Sequence, residues 1–123
     1  MQQKILLVED DVFLKDIYYE TLTNAGFSVT SAVNLSDVLQ AVQSNTFDLA
    51  LIDFYLPGAN GIEIVSKLKA ITPPPVKRIV FLTNASDEKD LQQMQSQGNG
   101  YLLKSALSPQ ELVTKIKEYL NIS

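Results

Sequence analysis

The 123-residue sequence predicts a three-layer α/β fold, in which a parallel sheet is covered by helices on both faces. Five short apolar or β-branched runs recur along the chain, and segments of helical period separate them. The residues between the two kinds of segment are those that helix ends require. Strands joined through helices imply right-handed crossovers, so every strand should point the same way. With 46% hydrophobic residues, the chain has enough apolar material for one continuous core, and a single domain over residues 1–123 is expected.

Taken in order, Ile5 to Val8 reads as a buried strand, as does each of the four later runs. The helix after it presents Leu14, Ile17, Tyr18, Leu22 and Ala25 to the core, which leaves Phe13 at its flank and Tyr19 pointing away. Gly26 follows as a C-terminal cap would. Phe27 to Ala32 is the second strand, and Leu35, Val38, Leu39 and Val42 mark the second helix. Leu49 to Ile52 is the third strand, and Ile62, Val65 and Leu68 mark the third helix. Thr72-Pro73-Pro74-Pro75 stops that helix and stiffens the way into the fourth strand, Ile79 to Thr83; a spacer is a commoner use of such prolines than a recognition motif. Ser86 to Gln97 offers a core little beyond Leu91 and Met94, so the fourth helix should be the loosest element. Tyr101 to Leu103 is the fifth strand, and Ser108-Pro109-Gln110-Glu111 opens the last helix as a capping box with proline at its first position.

Composition excludes several chemistries. Zero cysteines and zero histidines rule out disulfides, thiolate zinc sites, imidazole ligands and Ser-His hydrolysis, so only oxygen ligands remain for a metal. A net charge of −4 with scattered Lys and Arg argues against a nucleic-acid surface. No run has the length of a signal peptide or a membrane span, and a cytoplasmic protein without membrane contact is expected.

In a parallel sheet, ligands sit beyond the carboxyl ends of the strands, where strand order reverses. The first strand is followed by Glu9, Asp10 and Asp11; the third ends in Asp53, the fourth in Thr83, and the fifth is followed by Lys104. Carboxylates gathered there repel unless a proton or a cation intervenes. Mg²⁺ takes oxygen ligands, with Asp10 and Asp53 as direct ligands and Glu9 acting through water. Asp11 is better placed as the cap of the first helix. Lys104 and Thr83 suit phosphate oxygens, and a carboxylate in such a setting can act as a nucleophile and hold phosphate as an acyl phosphate.

This ordered set, Leu7-Val8-Glu9-Asp10-Asp11, Leu51-Ile52-Asp53-Phe54-Tyr55-Leu56-Pro57-Gly58 with Gly61, Phe81-Leu82-Thr83 and Gly100-Tyr101-Leu102-Leu103-Lys104, resembles a response regulator receiver domain of two-component signalling over essentially the whole chain. The resemblance implies a flavodoxin-like, doubly wound sheet of order 2-1-3-4-5. It implies that Asp53 takes phosphate from a histidine kinase, a histidine phosphotransfer protein or a small phosphodonor. Glu9, Asp10, Asp53 and the backbone carbonyl of Tyr55 would hold Mg²⁺, Lys104 would contact the phosphoryl group, and Thr83 would report its arrival. Tyr101 would turn inward in response, coupling the site to the surface of the fourth helix, fifth strand and fifth helix. Such a domain controls a downstream protein or an output domain, some through a phosphorylation-dependent dimer, and is a signalling module rather than an enzyme.

Two departures bear on the site. Ser105 stands where the family usually has proline in a cis bond; a cis bond here would cost about 2.5–4 kcal/mol, so the bond is either trans with a shifted loop or strained. Asn84 and Tyr55 are larger than usual beside the phosphate, and together they should crowd the attacking water and prolong the phosphorylated state. Phe13, Leu14 and Ile17 are the docking candidates for the phosphodonor. An aspartyl phosphatase of the haloacid dehalogenase type would need a second acid where Tyr55 stands, and a dinucleotide-binding domain would need a Gly-rich loop where the acids stand. The remaining alternative is a receiver-like interaction module that is never phosphorylated. The last helix should run to about Leu120, leaving no output domain, so the chain reads as a stand-alone regulator or a fragment.

Overall fold

A computed structural model describes residues 2–84 and 87–122. Its elements run β1 (Lys4–Val8), α1 (Val12–Asn24), β2 (Ser28–Ala32), α2 (Leu35–Ser44), β3 (Leu49–Asp53), α3 (Gly61–Lys69), β4 (Ile79–Thr83), α4 (Glu88–Gln97), β5 (Gly100–Leu103) and α5 (Pro109–Tyr119), with a short 3-10 turn at Lys104–Ala106. The five strands are all parallel, in the order β2-β1-β3-β4-β5. This is the flavodoxin-like arrangement that the sequence led us to expect.

Alternation along each strand divides the core into two layers. Leu6, Val8, Ala50, Ile52, Ile79 and Phe81 pack with Val38, Ile64, Val65, Leu68 and Met94 from α2, α3 and α4. Ile5, Leu7, Leu49, Leu51, Val80 and Leu82 pack on the other face with Tyr18, Leu22, Leu112 and Ile116 from α1 and α5. Both faces of the central strands are therefore dry, which is why β1, β3 and β4 read as continuous apolar runs.

Caps fix the helix starts. The side chains of Asp11, Asn34, Asn60 and Asp87 accept from the backbone N–H of Leu14, Asp37, Glu63 and Lys89, and Ser108 forms a reciprocal capping box with Glu111. Gly26, at φ +99°, follows the C-cap Ala25 in a left-handed conformation that suits glycine. The proline segment runs beside β3, where Phe47 donates to the Pro75 carbonyl at 2.7 Å.

Four expectations need correction. β2 is not a buried strand: it lies at the sheet edge, and Thr30 and Ser31 are exposed. β5, the opposite edge, leaves Leu103 exposed. Ile17 is 38% exposed, because the stripe of α1 that reaches the sheet runs through Tyr18 and Leu22. In α3 the buried set is Ile64, Val65 and Leu68, with Ile62 only partly covered. Ser86, expected to open the fourth helix, lies outside the described residues, and α4 starts at Glu88. As expected, α4 is poorly anchored, with Met94 as its one fully buried side chain. Burying a side chain of that size contributes about 1.5–3 kcal/mol, a small hold for three turns of helix.

Candidate functional site

The parallel register sets Val8 beside Ile52, so the residues leaving β1 meet the end of β3 at the point where the chain order reverses. Glu9 is fully buried, Asp53 is 5% exposed and Asp10 is half-buried. One carboxylate oxygen from each lies within 4.8 Å of the others. Lys104, arriving from the end of β5, places Nζ 3.0 Å from Oδ2 of Asp53 and 2.8 Å from Oε2 of Glu9. The other oxygens accept from the backbone: Oε1 of Glu9 from the N–H of Asp11 and Oδ1 of Asp53 from the N–H of Tyr55, both at 3.2 Å.

One ammonium among three carboxylates leaves the cluster short of positive charge. Burial raises the Glu9 carboxyl from its usual 4.5 to about 7, with Asp53's charge adding to the rise and Lys104 opposing it. Burial alone would lower the Lys104 ammonium, but hydrogen bonds and charge from Glu9 and Asp53 outweigh that and leave it raised. A divalent cation suits this cluster: every donor is an oxygen, and a second positive centre would offset the mutual repulsion of its carboxylates.

Gly61 controls how closely α3 approaches. A Cβ at this position would meet the Asp53 carbonyl oxygen, Phe54 Cα and Phe81 Cε1, each at 3.1 Å. The Gly61 N–H donates to the Phe54 carbonyl at 2.8 Å, and Phe54 N–H donates to that of Leu82 at 2.9 Å, so the loop carrying Asp53 is stitched to both α3 and β4.

The structure brings Glu9, Asp10, Asp53 and Lys104 together. Thr83 is fully buried at the neighbouring strand end, and Asn84 next to it is exposed. The Lys104–Ser105 bond is not cis; the one cis peptide among the described residues is Thr72–Pro73. Ser105 instead lies in the 3-10 turn, and Lys104 still reaches Asp53. Tyr101 is half-buried against the α3 and α4 layer. Phe13 is 76% exposed, Leu14 packs partly into the α1 and α5 layer, and Ile17 lies at the rim.

Two participants were not foreseen. Tyr18 had been assigned to the core alone, but its hydroxyl is within electrostatic range of the cluster: burial raises its pKa, Lys104 lowers it, and Glu9, Asp53 and Asp11 raise it. Asp90, on α4, accepts a hydrogen bond from the Tyr55 hydroxyl. That bond, and burial after it, raise the phenol of Tyr55. No sequence signal pairs these two residues, which are 35 positions apart.

The family model described as response regulator receiver domain matches residues 5–117. The DNA-binding response regulator MtrA of Mycolicibacterium smegmatis is 35% identical over 121 residues, covering 98% of this chain and 51% of its own. The transcriptional regulatory protein CrdR of Helicobacter pylori is 30% identical over 124 residues, covering 98% of this chain and 56% of its own. The chain thus spans about half the length of these curated relatives. Among solved structures, a CheY-like response regulator receiver domain protein from Methanospirillum hungatei superposes with a TM-score of 0.87 at 27% identity, covering 98% of this chain and 95% of that one.

Proposed function

This chain belongs to the response regulator receiver domain family, and from that premise we propose that it accepts a phosphoryl group on Asp53 in a Mg²⁺-dependent reaction. The observation that carries the proposal is a nearly buried carboxylate held by a lysine and hemmed in by two further acids.

In the transfer, an Asp53 carboxylate oxygen attacks phosphorus and forms the P–O bond of an acyl phosphate. The donor's P–N or P–O bond breaks and its electron pair leaves with the donor. Lys104 and the Tyr55 N–H already contact the two Asp53 oxygens, so the nucleophile is oriented before the donor arrives. Lys104 then stands beside the incoming phosphoryl oxygens, and Thr83, buried at the end of β4, is the hydroxyl that responds to them. Glu9, Asp10, Asp53 and the Tyr55 carbonyl would hold Mg²⁺, which when bound neutralises charge between carboxylates and phosphate.

The donor is a histidine kinase or histidine phosphotransfer protein, docking beside the site on α1 through Phe13, Leu14 and Ile17. The response passes through Thr83 and Tyr101 to the surface of α4, β5 and α5, where Tyr101, Leu103, Leu107 and Tyr119 line a groove of about 600 Å³. That surface controls a downstream protein, an output domain or a dimer. Moving it from a 1:99 to a 99:1 population requires about 5.5 kcal/mol of differential interaction.

The test is intact mass after incubation with acetyl phosphate, with and without Mg²⁺, for the wild type and Asp53→Asn. Added phosphoryl mass in the wild type with Mg²⁺, absent from the variant, is expected. Failure of the wild type to gain mass under any condition would replace the proposal with a receiver-like interaction module that is not phosphorylated.

A further inference from the structure

Tyr55 sits on the exposed rim, 54% accessible, yet it is held at both ends. Its backbone N–H donates to Oδ1 of Asp53 at 3.2 Å, and its hydroxyl donates to Oδ2 of Asp90 on α4. Between these ends the ring packs edge-on against the buried Phe54, with centroids 4.9 Å apart. Phe54 in turn packs edge-on against Phe81, at 6.0 Å. A half-exposed aromatic with its backbone, ring and hydroxyl all engaged behaves as a strut rather than as a free side chain.

What the strut supports is a helix with a single fully buried side chain, Met94. The far end of α4 is tied to α3 by Lys69, whose Nζ donates to the Gln97 carbonyl at 2.7 Å, and Met94 anchors its middle. The near end has the Asp87 cap, which accepts from Lys89 N–H at 2.9 Å and comes from the same stretch of chain. Among the described residues, the Tyr55 bond is the side-chain hydrogen bond that joins this end to the rest of the protein.

We propose that Tyr55 is a positioning residue that ties the acceptor carboxylate of Asp53 directly to the first turn of α4, a mechanical link separate from the one through Thr83 and Tyr101. The inference rests on the reading of Asp53 as phosphoacceptor. Converting the carboxylate to an acyl phosphate moves its negative charge outward onto phosphoryl oxygens and weakens it as an acceptor for the Tyr55 N–H. Backbone and ring belong to one residue, so a shift at the N–H is delivered at the hydroxyl, and from there to Asp90 and α4.

The experiment compares amide hydrogen exchange over residues 88–94 in the wild type, Tyr55→Phe, Asp90→Ala and the double variant, each with Mg²⁺ and with or without acetyl phosphate, with intact mass read in parallel. Phenylalanine keeps the ring contact and removes only the hydroxyl. Without phosphodonor, each single variant is expected to speed exchange there about fivefold, and the double variant no more than either single, since all remove one bond. With phosphodonor, Asp90→Ala is expected to gain the same mass as the wild type, while its phosphorylation-dependent change in α4 exchange falls to roughly half or less. Wild-type exchange in both single variants without phosphodonor would overturn the proposal, as would additive effects in the double variant. So would an undiminished phosphorylation response in Asp90→Ala. If the wild type gains no phosphoryl mass, the acceptor reading fails on its own and the link from Asp53 to α4 falls with it, while exchange in the unphosphorylated proteins still reports whether Tyr55 holds α4.

Discussion

Lys104 and Asp53, 51 residues apart in sequence, meet at 3.0 Å with both side chains nearly buried. Removing one partner of such a pair leaves charge with neither water nor a counter-ion, which costs about 3–5 kcal/mol at fully buried sites. Lys104→Met should therefore lower stability in Mg²⁺-free buffer by about 2–4 kcal/mol, measured by urea denaturation. Added Mg²⁺ should raise the stability of the variant more than that of the wild type, because the cation takes over the role of the missing ammonium.

Glu9 gives a pH dependence of unusual sign. Its carboxyl is raised to about 7 in the folded protein from an ordinary 4.5, chiefly by burial. The folded state thus binds the extra proton across that window. The stabilisation this gives is fully present below the unfolded value and is lost as pH climbs through the folded one. Without Mg²⁺, the denaturation free energy should fall by on the order of 1–3 kcal/mol between about pH 4.5 and 7.5. Glu9→Gln should flatten that slope, and saturating Mg²⁺ should also reduce it.

Gly61→Ala tests the close approach of α3. Its methyl would press on backbone atoms of Asp53 and Phe54 as well as on the Phe81 ring, each 3.1 Å away. Backbone yields less readily than a side chain, so a loss of about 1–3 kcal/mol in unfolding free energy is expected despite alanine's better helix propensity. The same shift should slow phosphorylation by acetyl phosphate, because it displaces the strand end that carries the acceptor.

The bulk of Tyr55 and Asn84 at the rim should shield the acyl phosphate from water. Tyr55→Ala and Asn84→Ala are each expected to hasten dephosphorylation about three- to tenfold, a barrier change of roughly 1 kcal/mol, followed by loss of phosphoryl mass over time. Tyr55→Phe should leave that rate near the wild-type value, which separates the shape of the residue from its hydrogen bond. Unchanged rates in both alanine variants would reject the shielding account.

Legibility followed the range of the physics. Period and caps act within one or two turns, and they located all ten main elements, including the capping box at Ser108 and Glu111. Edges do not act locally: the exposure of β2 and the rim position of Ile17 follow from which strand neighbours which, and strand order came from the family resemblance rather than from periodicity. At the site, residue types at strand ends identified Glu9, Asp10, Asp53 and Lys104. Their relative burial was less legible, since Glu9, cast in the indirect role, is the most deeply enclosed. The bond between Tyr55 and Asp90 left no trace in the sequence, because the path of two loops decides it.

The thin anchoring of α4 has a consequence for evolutionary change. Seven of its ten residues are solvent-exposed and one is fully enclosed. Replacements on an exposed face usually shift stability by no more than about 0.5 kcal/mol. This helix can therefore exchange its outward chemistry while the acidic rim carried by β1 and β3 keeps its shape. Lineages that duplicate such a domain have here a region where new loyalties can arise without first re-engineering the fold.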